Sequence, residues 1–274
     1  MQDLAGKTAV VTGGGSGIGR ALVLALAREG CNTVVADIEL DAAQAVAEEA
    51  SAFGVRAITK RTDVADFASV TNLADAAFDE FGTVHILCNN AGVLILGTLG
   101  TAIPHDWSWV FSVNVMGVVH GVHAFLPRLI EQGQPAHIVN TASVAALGAG
   151  GIYGASKAAV VSISETLHEE LGASGIGVSV LCPANVNSRI LDAQRNRPEN
   201  FGRKAFEPFG TEVTNFGFEP NHVAERAIEA IRNEDLYVFI VPESWKERMT
   251  TKTKDRMSDL LAAISKGGVP EQEV

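Results

Sequence analysis

A doubly wound α/β domain carrying a parallel sheet of seven strands is the fold this sequence predicts. Three observations lead there. Short apolar runs rich in β-branched residues alternate with longer segments of helical period, the pattern of βαβ units on a parallel sheet. A glycine-rich turn closes the first run and opens the first helical segment. No linker or repeat divides the 274 residues, a length that suits one large domain, so a single domain over residues 1–274 is expected.

The elements follow in order. Thr-Ala-Val-Val at 8–11 is the first strand, and the alanines and leucines of 18–28 recur at helical spacing after it. Thr-Val-Val-Ala at 33–36 gives the second strand, with the alanine-rich helix 41–52 behind it. A strand at 56–60 precedes a helix at 67–81, and Ile-Leu-Cys-Asn at 86–89 precedes a long helix at 105–131. A fifth strand at 136–140 leads to the helix 152–173, and a sixth lies at 177–181. After a break come the helix 221–232 and a seventh strand at 237–241. Beyond Pro242, residues 243–264 read as an amphipathic helix with Lys246, Arg248, Lys252, Lys254 and Arg256, a solvated or subunit-contacting surface helix. The break itself, 183–220, has no clean period yet holds five of the twelve phenylalanines: Phe201, Phe206, Phe209, Phe216 and Phe218. It is expected to be a substrate lid, because a structureless loop of that size is otherwise uncommon.

Composition narrows the function. The chain has 21 lysines and arginines against 32 aspartates and glutamates, a formal charge of −11. Neutralising phosphates takes a basic surface, so a nucleic-acid partner is excluded. Cys31, Cys88 and Cys182 are odd in number, widely spaced and set in apolar runs; they read as reduced core thiols of a cytoplasmic protein. The N-terminus lacks a signal peptide's basic start and apolar stretch, and no apolar run reaches about 18 residues. A soluble, untargeted chain with no membrane partner is therefore expected.

The glycine turn reads Thr12-Gly13-Gly14-Gly15-Ser16-Gly17-Ile18-Gly19. Glycines let the backbone approach a pyrophosphate, and the free N–H groups and dipole of the helix that follows stabilise its charge. The key glycines are Gly13, Gly17 and Gly19, a G-x-x-x-G-x-G spacing, with Ser16 and Ile18 between them. Asp37 ends the second strand, where a carboxylate accepts hydrogen bonds from the adenosine ribose and repels a 2′-phosphate. No lysine or arginine adjoins it in sequence, and Ser16 stands where a basic side chain could meet such a phosphate. The expected cofactor is NAD. A capping role for Asp37 is weakened by its four-residue distance from the helix near Asp41.

In Tyr153-Gly154-Ala155-Ser156-Lys157 the tyrosine and lysine share one helix face. A nearby cation favours phenolate and lowers a reference pKa of about 10, making tyrosine a usable acid and base.

The glycine turn, Asp63-Val64, Asn89-Asn90-Ala91-Gly92, Asn114, Ser143 and Tyr153 to Lys157 occur in an order that resembles the short-chain dehydrogenase/reductase family over residues 5 to 245. The resemblance implies a Rossmann-type sheet with helices on both faces, NAD(P) at its carboxyl edge, and a homo-tetramer or homodimer. It implies Tyr153 as acid and base, Lys157 on the nicotinamide ribose, Ser143 orienting the substrate oxygen and Asn114 holding a relay water. Asp63 and Val64 would meet adenine, Asn90, Ala91 and Gly92 would line the adenosine side, and Pro183 and Val186 would meet the nicotinamide. Two departures stand out. Ser143 and Tyr153 are ten residues apart where the family commonly has about thirteen between them, which leaves Thr141 as a competitor for the serine role. Ala184 replaces the family's glycine after the sixth strand.

The loop Pro183-Ala184-Asn185-Val186-Asn187-Ser188, with Arg197-Pro198 and Glu219-Pro220, is similar to a subgroup that includes bacterial benzylic-alcohol dehydrogenases. The leading expectation is a reversible NAD-dependent dehydrogenase of hydrophobic secondary alcohols, aryl carbinols included, with a small-molecule alcohol or ketone as partner. A 3-oxoacyl-type ketoreductase is disfavoured by Asp37 and by the charge, which repels an acidic carrier protein. A catalytically silent NAD-binding regulator would lack Tyr153 or Lys157. His120 and His123 have no carboxylate near them in sequence to complete a metal site, and none is expected. Trp107 and Trp109, two apart, should point to different sides, one toward the substrate mouth and one toward packing.

Overall fold

The computed structural model describes residues 1–148, 150–202 and 217–266. Among them, seven strands form one sheet: β1 (Thr8–Thr12), β2 (Asn32–Asp37), β3 (Ala57–Arg61), β4 (Ile86–Asn89), β5 (Ala136–Thr141), β6 (Ile176–Pro183) and β7 (Tyr237–Ile240). Their order is β3-β2-β1-β4-β5-β6-β7 and every neighbouring pair is parallel. The expected seven-stranded parallel sheet is therefore present. From β1 the chain winds outward through β2 and β3, then returns to place β4 on the other side of β1. That reversal opens a crevice at the carboxyl ends of β1 and β4, where ligands bind on open sheets.

The helices are α1 (Gly17–Arg28), α2 (Leu40–Ser51), α3 (Phe67–Phe81), α4 (Pro104–Phe111), α5 (Gly117–Glu131), α6 (Gly151–Leu171), α7 (Pro220–Asn233) and α8 (Glu243–Lys266). Alternation along the strands builds two cores. Val11 and Val35 join Leu22, Leu26, Val46, Ile228 and Ile231 of α1, α2 and α7 on one face. Val10 and Val34 join Leu73, Phe125, Leu129 and Leu167 of α3, α5 and α6 on the other. Strand residues buried on both sides explain why these runs are continuously apolar instead of alternating.

Three expectations are adjusted. β6 runs on to Pro183, because Cys182 and Pro183 pair with Phe239 and Ile240 of β7. The helix expected at 105–131 is α4 and α5 joined by one π turn, Ser112–Met116. By length and composition 104–131 could cross a membrane, yet it buries Trp109, Val110, Val118, Phe125 and Leu129 in the cores, as a core helix does. The expected lid has regular structure in its described part, with 3₁₀ turns at Arg189–Asn196 and Glu199–Phe201. Its two ends are stitched together: Asn187 N–H donates to the Phe218 carbonyl and Phe218 N–H to the Asn185 carbonyl, both at 2.9 Å.

The five phenylalanines do not share one role. Phe201 joins an apolar cluster with Val93, Trp109 and Ile152. Phe218 packs instead on the core of α1 and α7, holding that end of the segment to the body. Phe206, Phe209 and Phe216 lie outside the described residues.

Contacts divide the chain into a unit ending at Ile240, which holds the sheet, and a second beginning at Val241. In the second, α8 pairs Lys246 with Glu243 at 2.6 Å and stacks Arg248 over Trp245. Met257, Leu260, Leu261 and Ile264 are exposed on it.

Where α5 crosses β4, helix and sheet approach so closely that only glycine fits. A Cβ on Gly121 would lie 2.1 Å from Asn89 Oδ1, and Asn89 is held by Asn140. Gly121→Ala should cost about 1–3 kcal/mol through overpacking, read as a lower urea midpoint; an unchanged midpoint would show that α5 is free to move away.

Candidate active site

The glycine turn after β1 has the conformation its sequence suggests. Gly13 and Gly17 have φ of +64° and +53°, left-handed values that favour glycine. A Cβ on Gly13 would meet Ala91 Cα at 2.9 Å, and one on Gly19 would lie 2.0 Å from the Gly13 carbonyl. The turn is thus pressed against both its own helix and the segment after β4. α1 follows its cap residue Ser16 and has no acidic residue in its first turn, so its N-terminal dipole is left to attract an anion. Asp37 does not cap α2, whose cap position is Glu39. Its Oδ2 accepts from Gly15 N–H at 2.9 Å and its Oδ1 from Glu39 N–H at 3.0 Å, which fixes the carboxylate beside the turn.

The exit of β4 is bonded to β1 through one hydroxyl. Thr12 Oγ1 accepts from the N–H groups of Asn90 and Ala91 at 2.9 and 3.1 Å and donates to the Cys88 carbonyl at 3.3 Å. Asn90 Nδ2 returns to the Thr12 carbonyl at 3.0 Å, and its Oδ1 accepts from Thr141 Oγ1 at 3.2 Å. Two residues on, a Cβ at Gly92 would sit 3.4 Å from both Asn114 Oδ1 and Lys157 Nζ.

Asn114 sits in the π turn and is 1% exposed. Its Oδ1 accepts from Val93 N–H at 2.8 Å, and its Nδ2 donates to the Val93 carbonyl at 2.9 Å and to Ser156 Oγ at 3.0 Å. The side chain therefore braces the loop after β4.

Ser143 and Tyr153 face the same cleft, and the Ser143 hydroxyl pulls the Tyr153 pKa down. Ser143 Oγ also lies 3.3 Å from the Pro183 carbonyl and accepts from Ala145 N–H at 3.2 Å. Thr141, its competitor, gives its hydroxyl to Asn90 and its carbonyl to Lys157 Nζ at 2.7 Å. The shortened loop therefore brings Ser143, not Thr141, to the phenol. The expected lowering of the Tyr153 pKa is not found. Burial pushes Tyr153 up to about 12, against the pull of Ser143, and burial brings Lys157 down to about 8. The lysine stands 5.6 Å from the ring centroid and is 3% exposed. At that distance from water, loss of solvation outweighs the charge attraction that spacing alone suggests.

These groups surround one cleft of about 930 Å³. Gly13, Ser16, Gly17, Ile18, Gly19 and Asp37 line it. Asp63, Val64, Asn90, Ala91 and Gly92 line it too, and Ser143, Tyr153, Lys157, Pro183 and Val186 also face it. Of the expected site residues, only Asn114 stands behind the wall. Trp109 lines the cleft, while Trp107 stacks on Phe111 at 5.7 Å. His120 bonds the Val64 carbonyl at 2.8 Å, and both histidines pack on Phe67. Among the described residues no cluster of three metal-ligating side chains occurs.

Sequence reasoning missed the groups that the segment after β6 brings in. Arg197, 1% exposed, donates to Asp106 Oδ1 at 2.7 Å, twice to the Phe201 carbonyl, and stacks over Trp109. Arg195 forks onto Glu39. Neither pairing leaves a signal at separations of 91 and 156 residues.

Comparison with known proteins agrees with this geometry. A family profile described as short chain dehydrogenase matches residues 7–199. A C alpha-dehydrogenase of a Sphingobium species (strain SYK-6) is 32% identical over 253 residues, 89% of this chain and 83% of the relative. A 1-deoxy-11-beta-hydroxypentalenate dehydrogenase of Streptomyces exfoliatus is 42% identical over 192 residues, 68% of this chain and 69% of the relative. A short chain dehydrogenase/reductase of Burkholderia phymatum, solved in complex with NAD, is 39% identical with a TM-score of 0.86 and covers 100% of this chain and 99% of that one.

The buried lysine makes a prediction of its own. A folded-state pKa near 8 against an ordinary 10.5 means that burial penalises the ammonium by about 3 kcal/mol below pH 8, a penalty that fades between pH 8 and 10.5. Lys157→Met, which also loses a hydrogen bond of about 1 kcal/mol, should therefore be about 2 kcal/mol more stable than the parent at pH 7. Urea melts should show that gain shrinking as the pH approaches 10.5; a gain independent of pH would rule out charge burial as its origin.

Proposed function

Because the chain belongs to the short-chain dehydrogenase family, we propose that it is an NAD-dependent oxidoreductase moving a hydride reversibly between a hydrophobic secondary alcohol and NAD. One observation carries the reading: the Tyr153–Ser143 pair shares its cleft with the glycine turn and Asp37. The cleft suits a dinucleotide, since its glycines stand where Cβ atoms would collide and a helix N-terminus without acids faces it. Bound there, NAD supplies the hydride acceptor.

The remaining work falls to the chain. Asp37 accepts hydrogen bonds from the adenosine ribose hydroxyls. Ser143 donates to the substrate oxygen, and Tyr153 takes the alcohol proton at its phenolic oxygen in oxidation and returns it in reduction. Lys157, tethered to the Thr141 carbonyl, places its ammonium beside the ring and stabilises phenolate as it forms. Asn114 keeps the loop at Val93 in place. Val93, Leu94, Trp109, Leu191 and Phe201 give the cleft an apolar wall, which favours bulky or aryl alcohols over small polar ones. The relatives' names, which specify an α-carbon and a hydroxypentalenate, support alcohols on larger carbon frameworks.

Tyr153→Phe removes the transferable proton and keeps the ring, so kcat should fall by about 10²- to 10⁴-fold while NAD binding persists. In the parent enzyme kcat/KM for oxidation should rise with pH and that for reduction should fall, because only phenolate accepts a proton. A Tyr153→Phe variant turning over at the parental rate would remove the mechanism.

A panel of secondary alcohols, followed by NADH absorbance, tests the substrate class. Aryl carbinols should show lower KM than 3-hydroxybutyrate by roughly ten- to a hundredfold, the scale of one well-buried ring. Preference for small hydroxy acids would refute the apolar-wall reading, and parental kinetics favouring NADP would refute the cofactor.

A further inference from the structure

The adenosine end of the cleft holds two cations that the sequence does not place there. Both come from the 3₁₀ turn Arg189–Asn196, and both face Glu39, two residues beyond Asp37. Arg195 Nη2 donates to Glu39 Oε2 at 2.7 Å, and Arg195 Nε lies 3.2 and 3.3 Å from the two carboxylate oxygens. Arg189 Nη1 lies 3.6 Å from Glu39 Oε2. Arg195 Nη1 is anchored separately, on the carbonyls of Arg189 at 3.1 Å and Asp192 at 3.0 Å. Glu39, Arg189 and Arg195 all line the cleft with Asp37. Arg61, the register neighbour of Asp37 on β3, is exposed and outside the lining.

Stability does not account for this cluster. Glu39 and Arg195 are 30% and 23% exposed and Arg189 is 49% exposed, a setting in which ion pairs contribute only about 0–1 kcal/mol. Its larger consequence is electrostatic. A planar guanidinium presented at a ribose-binding rim is the group best suited to a phosphate, and here Glu39 holds it.

We propose that Glu39 is a second determinant of cofactor choice: by occupying Arg195 and Arg189 it withholds them from a 2′-phosphate, so NADP is refused by sequestered cations as well as by Asp37. The proposal rests on the NAD reading above and deepens it. Arg195 keeps its two carbonyl anchors without Glu39, so removing that carboxylate leaves a guanidinium already positioned at the rim. The two carboxylates, Asp37 and Glu39, balance the two arginines in charge at this rim, and Glu39→Gln tips it positive.

The test compares two probes that differ only in the 2′-phosphate, adenosine 2′,5′-bisphosphate and AMP, by calorimetry with no turnover involved. Glu39→Gln should raise the ratio of bisphosphate to AMP affinity at least tenfold, and again at least tenfold in an Asp37→Ala background. Adding Arg189→Ala and Arg195→Ala should abolish the gain. AMP binding in each variant reports an intact fold. An unchanged ratio in Glu39→Gln, or a gain that survives loss of both arginines, overturns the proposal. The parent's own preference between NAD and NADP decides the Asp37 reading separately, since the effect of Glu39→Gln is measured as an increment on whatever preference the parent has.

Discussion

The site depends on the bond between β1 and β4 at the point where the sheet reverses direction. Thr12 supplies it with one hydroxyl, which accepts two backbone N–H groups after β4 and donates to the Cys88 carbonyl within it. Asn90 closes the junction from the other side by reaching back to the Thr12 carbonyl and across to Thr141. At a parallel-sheet edge these backbone groups have no strand to pair with, and buried polar groups left unpaired are costly. Satisfying them locally sets the glycine turn, the loop at Gly92 and the end of β5 in one fixed arrangement. The Cβ collisions at Gly13 and Gly19 follow from that closeness.

From this junction the chemistry is supported inward. Lys157 reaches the Thr141 carbonyl, so the same strand end that is bonded to Asn90 also positions the lysine. Asn114 ties the loop at Val93 to Ser156 on α6, one residue from Lys157. Burial works against both ionisable groups in their charged forms, raising the phenol and lowering the ammonium. A buried lysine costs stability, a cost typical of sites shaped for something other than stability.

The segment after β6 joins the two ends of the cleft. Arg197 locks it to α4 through Asp106 and to Trp109 beside the reacting groups. Two residues earlier Arg195 fastens it to Glu39, just beyond β2. Ser188 completes the span, lying where a Cβ on Gly17 would strike it at 2.8 Å. One short run of chain thus contacts the glycine turn, Glu39 after β2 and the apolar cluster around Trp109.

The sequence by itself determined the sheet, the glycine turn, Asp37 and the tyrosine–lysine pair, because these are local: strand and helix periods, φ-permissive glycines and an i, i+4 spacing are written in neighbouring residues. It also set Ser143 and Thr141 in competition, and only the tertiary structure shows the Thr141 hydroxyl committed to Asn90. The π turn at Asn114 was hidden, since one displaced hydrogen bond does not disturb a helical period across 28 residues. The direction of the Tyr153 pKa was misread because helix spacing shows a cation and not the desolvation around it. Which phenylalanine of the irregular stretch goes where was not legible, and the structure sends Phe201 to the cleft and Phe218 to a core. Only the tertiary structure decided which charges face the cleft beside Asp37. Arg195 and Glu39 lie 156 residues apart, and their meeting depends on where the chain after β6 crosses the ends of β1 and β2, a matter of sheet order that no local pattern records.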